Sequence, residues 1–177
     1  MLTTLPTLDA LLETHASRLG RDATGYRHHA YRVANFYWHL LPGNAEMLEK
    51  LSIAAAFHDL GIWTAHTFDY LPPSRALASE HLRAIGRVAW QQDVDAMIDH
   101  HHRIRHMPAD THASVEMFRR ADWIDVSNGV LRFGLDRKVV REVRRMFPDA
   151  GFHRRLLQLT LQRLARHPLS PLPMMRW

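Results

Sequence analysis

Apolar residues recur along this chain at intervals of three and four almost from end to end, the period of helices that bury one face. That period predicts helices over residues 7–19, 24–41, 45–60, 74–86, 91–103, 110–127, 136–147 and 150–167. Between them stand residues that stop helices, in "LPGN", "LPPS", "MPAD", "FPDAG" and "HPLSPLP". No stretch alternates apolar and polar positions as a half-buried strand would, and no repeat or linker divides the chain. The expectation is an all-α protein, a single-domain helical bundle over residues 1–177. Its proline-rich tail, "HPLSPLPMMRW", should be extended, with Met174, Met175 and Trp177 either packed back onto the body or frayed.

Composition narrows the function classes. At 177 residues, 46% hydrophobic and 23% charged, the chain can bury a sizeable core and has an ordinary globular make-up. No apolar run reaches the length of a membrane span. The N-terminal "MLTTLPTLDALLETHASRL" lacks the basic start and continuous apolar stretch of a secretory signal. The absence of cysteine excludes disulfides, thiolate nucleophiles and Cys-type metal sites, and fits a cytoplasmic location. A net charge of +5, supplied mostly by arginine, suits a small anionic substrate. There is no dense basic stripe interleaved with aromatics, so neither nucleic acid nor membrane is the expected partner; the oligomeric state is open.

Histidine is over-supplied, with 14 residues clustered in "RHHAYR", "FHDLG", "SEHLR" and "DHHHRIRH". Helical spacing sorts them by face. His29 lies four before Val33 on the apolar face of its helix, whereas His28 falls with Arg32, Asn35 and His39 on a polar one. In "DVDAMIDHHHRI" the inward face led by Val94, Met97 and Ile98 reaches His101 first, His102 second and His100 least. His81 shares a stripe with Leu77, Ala78, Leu82 and Ile85. Val115 and Phe118 lead to Asp122, an inward carboxylate, with Asp125 a neighbour one turn on. His58 and Asp59 close an alanine-rich helix, and Gly61 permits a turn after them. A shared metal site would satisfy all of these groups together, whereas separate sites would need several independent buried partners.

In this order, "HAYRVA", "AAAFHDLG" and "RRADWID" resemble the H…HD…D signature of the HD-domain superfamily, with residues 24–127 as the signature core and the C-terminal helices and tail, 136–177, beyond it. The resemblance implies an all-α bundle around a central metal site. One metal would take His29, His58, Asp59 and Asp122; a second would take His81 and His101, with Asp59 bridging and activating a hydroxide and with His102 the alternative histidine. Fe, Mn, Ni, Co or Zn suit such imidazole and carboxylate donors. Arg103 and Arg119 beside the proposed ligands, and Tyr70 in a segment (63–75) that is either a packed connector or a lid over the site, are candidates for substrate binding.

The implied activity is a metal-dependent phosphohydrolase acting on a small phosphorylated metabolite or nucleotide. "HDLGIWTAH" departs from the family's commoner branches: Ile62 and Trp63 stand where many members have lysine, and the glutamate of the nucleotidases is absent. An HD-type di-iron oxygenase and a non-catalytic metal- or ligand-binding module are therefore the alternatives.

Overall fold

A computed structural model describes residues 1–109, 111–170 and 172–175. Helix α1 (Pro6–Thr14) opens on a proline, whose missing N–H costs nothing in a first turn. A break at His15 separates it from the single turn α2 (Ala16–Leu19), so the predicted 7–19 helix is two pieces. The central helices follow, α3 (Ala23–Leu40) and α4 (Ala45–Phe57). Asn44 caps α4 by accepting the Met47 N–H at 2.9 Å. After the single turn α5 (Gly61–Thr64), α6 (Leu71–Ala84) begins earlier than predicted, with its prolines in the first turn, where they are tolerated, instead of breaking it. Helix α7 (Gln91–His100) stops three residues short of its predicted end. Helices α8 (Ala113–Val126), α9 (Arg137–Met146, capped by Asp136) and α10 (Phe152–Arg166) complete the set. Asp110, the first residue of the predicted 110–127 helix, and Trp177 lie outside the described residues.

These helices enclose one hydrophobic core, and the described residues form no strand. The all-α, single-domain bundle expected from the periodicity is what the chain adopts. The largest interface joins α3 to α8; α4 runs between α1, α3, α6 and α7, and α9 and α10 pack on α3. Two polar residues of α3 depart from the expected face. Arg32 and Asn35 are buried, because the middle of α3, residues 29–37, is covered on all sides, whereas His39 of the same face stays exposed. Both are paired, as buried polar groups must be. Arg32 binds Asp125, and the Asn35 amide donates to the carbonyls of Leu2 and Tyr31, each at 2.9 Å. In the tail, Met174 is buried against the core. No helix among the described residues is long and apolar enough to cross a membrane.

Candidate metal centre

Three buried histidines are each held through Nδ1. That atom lies 2.7 Å from Asp125 Oδ2 in His29, 3.0 Å from the Ala55 carbonyl in His58 and 2.6 Å from the Ile98 carbonyl in His101. A carboxylate or carbonyl only accepts, so these partners assign the hydrogen to Nδ1 and leave Nε2 to face inward. Histidine ligands are commonly fixed in this way, by a hydrogen bond from the nitrogen that does not meet the metal.

The inward atoms converge. Nε2 of His29 and Nε2 of His58 are 2.8 Å apart. Asp59 Oδ2 stands 3.5 Å from the first and 3.7 Å from the second; Asp122 Oδ1 stands 3.7 and 4.0 Å from them. The other Asp59 oxygen, Oδ1, is 3.2 Å from His101 Nε2 and 3.9 Å from His102 Nε2. Two donor groups result, His29–His58–Asp59 and Asp59–His101–His102, and each could hold a metal ion.

Donors bound to a transition ion at about 2.0–2.3 Å stand roughly 3–3.5 Å from one another. The spacings of 2.8–4.0 Å around the first group bracket that value. Asp122 adds an independent observation. Its carboxylate is buried, yet neither oxygen makes a hydrogen bond; His102 Nδ1 is 3.1 Å from Oδ2 but is not aligned for one. A buried carboxylate without donors is costly unless a cation meets it.

Without a metal, protons supply part of that positive charge. Burial opposes protonation of His29, but the hydrogen bonds to Asp125 and Asp59 prevail and raise its pKa to about 9. Burial drives His58 down to about 3. One ring can therefore donate to the other across the 2.8 Å contact. Burial also opposes ionisation of Asp59 and Asp122, yet neighbouring histidines hold both carboxyls below their ordinary range. A metal ion and a proton would compete for the same lone pairs.

The supporting layer comes from a matched spacing. His29 and Arg32 are three apart on α3, and Asp122 and Asp125 are three apart on α8. One turn of each helix presents a donor, and the next presents the pair that clamps it. Arg32 grips Asp125 with Nε at 2.5 Å and Nη2 at 2.8 Å, while its Nη1 donates to the Phe147 and Pro148 carbonyls. The Phe152 ring stacks on His29 at 4.1 Å, and His153 Nε2 donates to the Asp125 carbonyl at 2.9 Å. Gly25 lets this segment approach, since a Cβ there would lie 3.2 Å from the Ala150 carbonyl. In the sequence Asp125 is only a neighbour of Asp122; the paired i, i+3 spacings are the signal that identifies its role.

The structure brings together His29, His58, Asp59, His101 and Asp122, but not His81. His81 is half-buried on α6, its ring centroid 5.9 Å from that of Phe57, lining a separate cleft with His15, Leu11 and Leu77. The apolar stripe that selected it runs off the core, for Ile85 is 46% exposed. His102 joins in its place. His101 keeps helical dihedrals just past the end of α7, and the His101 and His102 rings lie with centroids 4.0 Å apart, both within reach of Asp59 Oδ1. His100 belongs to neither donor group.

Tyr70 is buried, and its hydroxyl lies 2.6 Å from His102 Nε2. Arg119 is not directed at the cluster: it is buried and engaged by Glu116 at 2.7 and 2.8 Å. Arg103 accepts through its carbonyl from Arg119 and Trp123, and lines a cleft of ≈ 800 Å³ with Arg105, Trp123 and Phe133. Segment 63–75 is a packed connector and no lid. The Trp63 indole donates to Asp22 at 2.9 Å, Arg75 pairs with Asp99 at 2.7 Å, and Phe68 is buried. The expected turn is present, over His58–Leu60, between α4 and α5. Gly61 follows it without a positive φ; what matters there is the missing side chain, because a Cβ would lie 2.5 Å from the Tyr70 carbonyl.

Comparison of the chain with known protein families, with curated proteins and with solved structures yields no match.

Proposed function

We propose that the chain is an HD-type metal-dependent hydrolase of a small phosphorylated metabolite or nucleotide, using one or two ions of Fe, Mn, Co, Ni or Zn. The observation that carries this reading is the division of Asp59, with one oxygen toward His29 and His58 and the other toward His101 and His102. Bound ions would supply a Lewis acid for a phosphoryl oxygen and a water acidic enough to attack near neutral pH. The protein's own contribution is geometric. Asp125 and the Ala55 and Ile98 carbonyls fix the ring orientations, and Asp59 and Asp122 supply the negative charge that retains cations. The Tyr70 hydroxyl lies 2.6 Å from His102 Nε2 and helps set that ring's position, a contact that a metal bound at Nε2 would replace. His102 carries most of the cluster's exposure, 13% of its side chain, so substrate would approach over α7's C-terminal turn. Arg103 and Arg105 follow in the chain there and would attract its negative charge.

A second reading has its own support. With His102 in place of His81, the cluster contains four histidines and two aspartates, all but His102 closed to solvent. That donor set also suits an HD-type di-iron oxygenase.

The deciding experiment is metal analysis of protein purified without oxygen, followed by parallel assays. Release of phosphate from a phosphate-ester panel in Mn-, Co- or Ni-loaded protein without oxygen is the expected result. Inertness toward the panel together with oxygen uptake by the iron form would replace hydrolysis by oxygen activation. Failure to bind any of these metals would remove both readings.

A further inference from the structure

Positive charge is concentrated at one end of this chain. Residues 132–166 contain ten Lys and Arg against three Asp and Glu, an excess of seven, whereas the excess for the whole chain is five. Much of it faces one cleft. Arg137, Arg141 and Arg144, spaced by four and three, share a face of α9 and are joined there by Arg132 from the preceding loop. The cleft measures ≈ 690 Å³; Asn128, Gly129, Val130 and Val140 complete its wall, which has neither a carboxylate nor an aromatic ring.

Among the described residues Arg132, Arg137 and Arg141 form no ion pair, and Arg137 and Arg141 are exposed. Like charges four apart on a helix repel, so this stripe weakens α9 unless something neutralises it. Arg144 reaches across, donating to Asn128 Oδ1 at 2.7 Å and standing 3.5 Å from Asp125 Oδ1. Its Nη1 is buried with no hydrogen-bond partner.

We propose that this cleft is a binding site for a small polyphosphorylated anion. Guanidinium forks match phosphate oxygens in pairs, and four of them around one cavity suit a ligand with several phosphates better than a single phosphate or carboxylate. With no aromatic wall to stack a base, recognition rests on the phosphates. The site is separate from the histidine cluster yet joined to it, since Arg144 contacts the same carboxylate that orients His29. A ligand drawing Arg144 toward itself would alter the support of His29. The inference does not depend on which reaction the metal centre performs.

Calorimetric titration of the full chain with inorganic tripolyphosphate tests it. Wild type should bind tripolyphosphate more tightly than orthophosphate, with affinity falling as salt is added. The Arg137→Gln/Arg141→Gln double variant should lose about tenfold or more in affinity, a change set by removing two charge-assisted contacts. Both substitutions are at exposed positions, and an unchanged melting temperature would show that the fold is intact. Arg163→Gln/Arg166→Gln on α10 should bind like wild type. Absence of binding, or equal losses in both double variants, would overturn the proposal. So would a single-stranded RNA oligonucleotide that binds with the same dependence on Arg137 and Arg141 while tripolyphosphate does not.

Discussion

Asp125 reaches across the α3–α8 interface to Nδ1 of His29 at 2.7 Å while both of its oxygens hold the Arg32 guanidinium. Asp125→Asn keeps the shape but removes the charge from this pair. Partners that orient a histidine ligand typically change metal affinity by about 10–100-fold, and that loss is expected in a competitive chelator titration. Arg32 would remain buried without its counter-ion, so stability in urea should also fall, by about 3–5 kcal/mol. Unchanged metal affinity in a destabilised variant would make Asp125 a clamp of the fold alone.

His102 and His81 exchange roles relative to the sequence reading. His102→Ala should lower the bound metal or its affinity, because His102 belongs to the second donor group. His81→Ala, in a separate cleft, should leave metal content at the wild-type value. Elemental analysis of the two variants, purified in parallel, checks both statements, and a loss of metal in His81→Ala alone would reverse the assignment.

Gly61→Ala places a methyl 2.5 Å from the Tyr70 carbonyl and 2.9 Å from Ser74 Oγ. Backbone has to move, and Tyr70 moves with it, away from His102. Overpacking of this kind costs about 1–3 kcal/mol. Thermal unfolding should show the loss, and a variant as stable as wild type would mean that α5 and α6 are not held as closely as described.

Glu116 accepts from Arg119, Arg120 and the Met107 N–H. Burial alone would raise its carboxyl, but these donors lower it to about 2 from an ordinary 4.5. The folded protein thus binds fewer protons at this group than the unfolded chain does. Its contribution to stability is complete above pH 4.5 and is lost as pH falls toward 2. Glu116→Gln should be less stable than wild type at neutral pH, with the difference shrinking through that acid window. Urea midpoints measured from pH 6 to 3 provide the check; a constant difference would exclude the linkage.

Periodicity identified most of the helices because each buries a face at the 3.6-residue repeat, and it placed His29, His101 and Asp122 inward correctly. It failed where burial is not one-sided. Arg32 and Asn35 read as a solvent face, but the middle of α3 is enclosed, and pairing rather than water satisfies them. It also ranked His102 behind His101 as if one face could supply only one ligand, yet His101 keeps helical dihedrals and neighbours about 100° apart both reach the Asp59 carboxylate. His81 shows the complementary error, since an apolar stripe reveals a face but not which neighbour the face meets.

The closure of the cluster has a kinetic meaning. His29, His58, His101 and Asp122 are 0% exposed, and Phe152 at the start of α10 covers the His29 ring. An ion held between His29, His58 and Asp122, away from the opening at His102, could leave or enter only when part of the bundle opens, as happens in local unfolding events far rarer than ligand fluctuations. Exchange would then be slow enough that the metal present while the chain folds, more than the metal it binds best at equilibrium, decides which ion the mature protein carries.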